Sequence, residues 1–262
     1  MTTMRNTTSV SPWFDARVVH DHCALRLFCV PHAGATGLAF RAWHRLVPES
    51  IAVLPLQLPG RGPRLDEPSF RSLLSIVEAA TEAIFPLLDR PFALFGHSVG
   101  AAIAFELARR MEARGYGPQC LFVAGRSAPP RASSRNIHTL PRDRLIEALR
   151  ELDGMSTDVL DNPDALDVLL PILRADLEVS ETYQYLPGPP LHCPIMAFGG
   201  TTDILTSAND IRAWRRHTQG RFSAHIFGGG HFFVHTAQTE MVRMIVDTLL
   251  TGVQDRCTTS SD

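Results

Sequence analysis

Lysine is absent from all 262 residues, so the 25 basic side chains are all arginine. That excludes a Schiff-base lysine and a P-loop lysine, and with them pyridoxal-phosphate and P-loop nucleotide chemistry. A basic run or stripe is also missing. The 25 basic and 27 acidic residues leave a net charge of −2, with no surface built to neutralise a phosphate backbone, so nucleic acid is not an expected partner. Cysteine is sparse and odd in number, five in all, and Cys23, Cys29, Cys120, Cys193 and Cys257 have neither CxxC nor metal-ligand spacing. Four of them sit in or beside apolar runs, which points to buried thiols in a reducing compartment. The opening MTTMRNTTSVSP lacks the apolar core of a signal peptide, and no later run reaches transmembrane length. The expectation is a cytoplasmic protein with no membrane association. Internal repeats and low-complexity tracts are missing too, apart from polar ends, the second from about 251 to 262.

What is present is an apolar content of 45%, enough for a full core in a chain that α/β folds often build as one domain. Short apolar runs at 25–30, 51–56, 92–95, 120–123, 195–198 and 222–227 are mostly bounded by Gly, Pro or polar residues, as buried strands of a parallel sheet are. Between several of them lie helical patterns at 40–46, 73–88, 101–113, 211–217 and 241–250. The alternation predicts a mostly parallel sheet flanked by helices on both faces. From about 127 to 190 the rhythm breaks into helices, including 142–152 and 165–179, with no strand. A single domain of 1–262 is therefore expected, its core at about 20–126 and 191–250, with a helical insertion at about 127–190. The insertion, carrying many leucines with Met155, Tyr183 and Tyr185, is either a lid over a pocket or a peripheral helical subdomain.

The strongest local signal is FALFGHSVGAAIAFELARR, where an apolar strand runs into Gly96-His97-Ser98-Val99-Gly100 and a helical run follows. By composition alone GxSxG arises in roughly one chain in ten of this size, but strand before and helix after make it a nucleophile elbow. A serine hydroxyl is a poor nucleophile at neutral pH. It needs a base in hydrogen-bond reach and a carboxylate to fix that base's tautomer, in the chain order Ser, acid, His. Asp203, in FGGTTDILT just past the strand 195–198, is the candidate acid, whereas Asp210 reads as a first-turn charge of a helix and Asp153 to Glu181 fall in the insertion. His231 follows the strand 222–227 through Gly228-Gly229-Gly230 and is the candidate base. His235 stands four residues on, at the spacing of a helical metal pair, but no third ligand accompanies it and no metal is expected. The oxyanion needs two backbone N–H groups: Val99, directly after the serine, and Ala33, in the loop after the first core strand. His32, beside Ala33 on the oxyanion loop, reads as a structural or pocket-wall residue rather than a catalytic group.

Beyond the triad, FCVPHAGATG, LPLQLPGRGPRLDEP, GHSVG, FVAGRSAPP, LLPILRADLEVSETYQY, CPIMAFGGTTD and GGGHFFVH together cover most of the chain. This set resembles the stand-alone type II thioesterases that accompany polyketide and nonribosomal peptide synthetases. Two positions depart from the pattern: Ala35 stands where a second glycine is usual, and Val99 where Met or Leu is more common. The resemblance implies an α/β-hydrolase fold and hydrolysis of acyl or peptidyl thioesters from the phosphopantetheine arm of a carrier protein, clearing stalled or misprimed units. Catalytic residues would be Ser98, Asp203 and His231, with Ala33 and Val99 as the oxyanion hole. No cofactor is implied, since phosphopantetheine comes as part of the substrate. The partner would be an acyl or peptidyl carrier protein, for whose acidic surface or phosphate Arg61, Arg64, Arg126, Arg131 and Arg135 are candidates. The same triad also suits a small-molecule esterase, or an acyltransferase or cyclase that passes the acyl group to another nucleophile. A binding module with a vestigial elbow is the non-enzymatic alternative.

Overall fold

A computed structural model of the protein describes residues 11–15, 22–130, 136–152, 154 and 157–259. Met155, Arg131 and Arg135 lie outside the described residues. The six apolar runs form six strands, β1 (Leu25–Val30), β2 (Ile51–Pro55), β3 (Phe92–His97), β4 (Leu121–Ala124), β5 (Ile195–Gly200) and β6 (Phe222–Phe227). They join in the order β2-β1-β3-β4-β5-β6, and every pairing is parallel.

Parallel strands need helical crossovers, and the chain supplies α1 (Leu73–Ile84), α2 (Val99–Ala113), α3 (Arg142–Glu151), α4 (Thr157–Leu160), α5 (Pro163–Glu181), α6 (Ala208–Arg212), α7 (Phe233–Thr236) and α8 (Gln238–Thr259). Side chains of a strand alternate between faces, so each strand feeds two cores. Phe28, Val30, Leu94, Leu121, Val123 and Ala197 pack on one side with Ile76, Val77, Ile103 and Leu107 of α1 and α2. Leu27, Cys29, Phe95, Phe122 and Phe198 pack on the other with Trp43 and with Met241, Val242 and Ile245 of α8. Each large apolar side chain so buried contributes about 1.5–3 kcal/mol. Cys23, Cys29, Cys120 and Cys193 are buried within this packing.

Proline and capping residues decide where the helices stop and start. The pattern at 73–88 is cut at Ile84, because Pro86 has no N–H to continue the ladder and the chain tightens into a 3-10 turn at Phe85–Leu87. The pattern at 211–217 starts earlier, at Ala208, where Ser207 and Asp210 form a reciprocal capping box, and it turns 3-10 from Ala213. Asp210 is thus the first-turn charge its position suggested.

The helices of the insertion, α3 to α5, build a small core of their own from Ile137, Leu145, Leu149, Leu160, Leu166, Leu170 and Leu173. Of these, α3 and α5 line the cavity at the C-terminal edge of the sheet. Tyr183 and Tyr185 instead turn to the main core: the Tyr183 hydroxyl donates to Glu106 at 2.5 Å, and Tyr185 packs edge-on against His217. Among the described residues no helix is long and apolar enough to cross a membrane.

Candidate active site

All six strands point the same way, so the loops after β1, β3, β4, β5 and β6 gather at one edge. The chain leaves β1 for β2 on one side and returns at β3 on the other, and that reversal opens a crevice at the strand ends. A cavity of about 360 Å³ lies there, reached by His32, Ala33, Ser98, Arg126 and His231 and walled by Leu149, Leu169, Leu173 and Leu177 of the insertion.

Ser98 sits between β3 and α2 with φ 57° and ψ −120°, a backbone conformation that costs a non-glycine residue about 1–3 kcal/mol. Two glycines make so tight a turn possible. A Cβ on Gly96 would lie 2.1 Å from the Gly100 carbonyl oxygen, and one on Gly100 would lie 2.3 Å from that of Val30. The elbow is tied down by the Ser98 N–H, which donates to the Ala124 carbonyl at 2.9 Å.

His231 Nε2 lies 3.0 Å from Ser98 Oγ, and His231 Nδ1 lies 2.9 Å from Asp203 Oδ2. The carboxylate accepts from Nδ1–H, so Nε2 is unprotonated and accepts the serine hydroxyl. Asp203 is locked in turn. Its Oδ1 accepts the N–H groups of Leu205 at 2.8 Å and Thr206 at 3.3 Å, and its Oδ2 accepts the Thr206 hydroxyl at 2.6 Å. Burial would raise the Asp203 carboxyl, yet the bonds from His231, Thr206 and Leu205 outweigh it and hold the group below its ordinary range.

Two further histidines stand behind the base. His97 Nε2–H donates to the His231 carbonyl at 3.0 Å, which leaves His97 Nδ1 to accept from His32 Nδ1–H at 3.3 Å. Burial, reinforced by repulsion from His235 and His231, pushes His32 down to about 3. Burial and the neighbouring His32 and His231 rings likewise hold His97 well below its ordinary value, and burial lowers His235. The cluster is therefore neutral and polar at neutral pH. His235 stacks on Phe232, with ring planes 2° apart.

The arginine candidates fare differently. Arg61 is buried and forms a bidentate ion pair with Asp176, and Arg64 is buried in a pair with Glu67 while its guanidinium covers Trp13. Arg126 donates to the Ser180 hydroxyl at 2.6 Å and to its carbonyl at 3.2 Å. Arg61 and Arg64 are thus enclosed in ion pairs, whereas Arg126 is half-buried and lines the cavity. Asp176 went unremarked among the acids of the insertion, although Leu166, Leu170, Leu173 and Asp176 follow one another at three- and four-residue steps along a single buried face of α5.

A family model for the thioesterase domain matches residues 25–249. The chain belongs to the thioesterase domain family. This thioesterase is 40% identical over 244 residues to the gramicidin S biosynthesis protein GrsT of Aneurinibacillus migulanus, covering 92% of this chain and 95% of that one. Its fold matches RedJ, a thioesterase from the prodiginine biosynthetic pathway in Streptomyces coelicolor, with a TM-score of 0.83 and 37% identity over 86% of this chain and 91% of that chain. It also matches the type II thioesterase BorB from the borrelidin biosynthetic cluster, with a TM-score of 0.81 and 34% identity over 88% and 94% of the two chains. The fold is thus that of the α/β-hydrolases, and the enzyme is a serine hydrolase acting on thioesters.

Proposed function

We propose that this thioesterase hydrolyses acyl or peptidyl thioesters from the phosphopantetheine arm of carrier proteins, removing aberrant or stalled units from a polyketide or nonribosomal peptide assembly line. The observation that carries the reading is the relay Asp203–His231–Ser98, with links of 2.9 and 3.0 Å, opening into a leucine-walled cavity. Relatives that serve gramicidin S, prodiginine and borrelidin biosynthesis support the setting.

In the proposed mechanism His231 Nε2 takes the Ser98 proton as Oγ attacks the thioester carbonyl. Asp203 keeps Nδ1–H in place and stabilises the imidazolium. Val99 opens α2, so its N–H has no acceptor within the helix and faces the forming oxyanion at the positive end of the helix dipole. Ala33 supplies the second N–H from the loop after β1, which the strand order sets beside β3. The imidazolium protonates the leaving thiolate. Water, deprotonated by the same His231, then cleaves the acyl-Ser98 ester to the free acid and restores the serine. Phosphopantetheine takes part only as a piece of the substrate, and no resident cofactor enters these steps.

The same reading treats 1–262 as a single catalytic domain in the cytoplasm, its partner a transiently bound carrier protein. Its test is a comparison of kcat/KM for one acyl group carried on a holo carrier protein and on a small free thiol. A clear preference for the tethered thioester supports the proposal, and equal rates favour a small-molecule esterase.

A further inference from the structure

We propose that Asp176, on the helix that covers the pocket, positions the oxyanion loop by holding the Gly34 N–H, with Arg61 neutralising the buried carboxylate. The inference rests on the Ser98 chemistry proposed above and goes beyond it, because Asp176 touches no reacting atom.

The loop after β1 has two fixed planes. The Ala35 N–H donates to the His32 carbonyl at 3.1 Å, which orients the peptide plane that also carries the Ala33 N–H. The next plane carries the Gly34 N–H, which donates to Asp176 Oδ2 at 2.7 Å. Nothing in the loop's own turn supplies that second restraint. It arrives from α5, 142 residues on in the chain. Arg61 donates through both terminal nitrogens to Asp176, the Nη2 bond being 2.7 Å, and its Nη1 lies 3.5 Å from the Ala35 carbonyl. Arg61 and Asp176 are both buried, so the pair is shielded from solvent and held as a unit.

Packing agrees with the polar contacts. Gly34 has φ +75°, and a Cβ there would sit 2.6 Å from Leu173 Cδ2, one turn of α5 before Asp176. Helix and loop therefore meet at two successive turns of α5. An oxyanion donor displaced by about an ångström costs a reaction up to roughly a hundredfold in rate. That is the effect expected if the Gly34 restraint is lost.

Removing Asp176 alone would strand a buried guanidinium, so the test changes both partners. R61M/D176N keeps a carbonyl oxygen able to accept from Gly34 N–H, whereas R61M/D176L keeps the volume and removes the acceptor. Steady-state hydrolysis of a soluble acyl thioester is measured for both and for wild type. Rates are normalised to the Ser98 sites titrated by a fluorophosphonate, so that misfolded protein does not count. The expected result is kcat about 10- to 100-fold lower in R61M/D176L with KM within about threefold of wild type, and kcat within about fivefold of wild type in R61M/D176N. Equal kcat in the two variants, or a loss confined to KM, would overturn the proposal. So would a drop of tenfold or more in R61M/D176N alone, which keeps the test decisive if the leucine variant does not fold. A wild-type protein that takes no label on Ser98 would instead undo the Ser98 reading itself.

Discussion

The ring of His97 donates to the backbone carbonyl of His231 at 3.0 Å, so the residue just before the nucleophile holds the residue that binds the nucleophile's hydroxyl. The elbow and the loop after β6 are thereby joined through one imidazole. That bond needs the proton on Nε2, and burial keeps the ring neutral, so that Nδ1 is left to accept from His32.

The buried histidines give the fold a defined acid sensitivity. His32 and His97 have folded-state values depressed from 6.5, His32 to about 3. Between those limits the unfolded chain binds protons that the folded chain does not, so the stability they contribute is complete above about pH 6.5 and falls as pH drops toward 3. Each such group costs about 1.4 kcal/mol per pH unit in that window. Denaturant titrations from pH 7 to pH 4.5 check this. Stability should fall with acid, and His32→Asn, which keeps a donor toward His97, should lose it with a shallower slope. Equal slopes would mean that His32 titrates alike in both states.

Asp203→Asn tests the carboxylate. The amide can still be held by Thr206 and Leu205, but it no longer fixes the Nδ1–H tautomer of His231 or balances the imidazolium. By analogy with other serine triads kcat should fall by about 10³–10⁴ with little change in melting temperature. A loss under tenfold would point to another acid.

The strain at Ser98 predicts a trade between stability and function. With φ 57°, both Ser98→Ala and Ser98→Gly abolish turnover, but only glycine relieves the backbone. After allowance for glycine's greater unfolded-state freedom, Ser98→Gly should be more stable than Ser98→Ala by about 1 kcal/mol in chemical denaturation. The reverse order would mean that the turn is unstrained.

Much of the fold was legible because burial writes itself into composition: runs that fill two faces of a sheet read as short apolar blocks, and all six became strands. The ends were less so. β3 continues through Gly96 and His97, where a glycine and a polar ring hide a strand that still pairs with β4. Ser98, Asp203 and His231, which the fold brings within hydrogen-bond reach, were legible because the fold puts such groups at strand ends, a rule about local context. The pairing of Asp176 with Arg61 was not, since it joins residues 115 apart and only the folded chain brings them together. A charge on the apolar stripe of α5 was the one available sign.

The cavity walls should set chain length. Leu177 lines the same space as Ser98, so Leu177→Phe shortens it. Each methylene that no longer fits is worth about 1–3 kcal/mol in kcat/KM. An acyl-length series should shift toward shorter groups, while an unchanged optimum would place the chain elsewhere.

The most direct test of the central claim is intact-mass spectrometry of carrier proteins loaded with a panel of acyl groups and incubated with the wild-type enzyme or with Ser98→Ala. The account predicts that wild type returns carriers to the free phosphopantetheine thiol while Ser98→Ala leaves them loaded. Equal discharge by both proteins would contradict it.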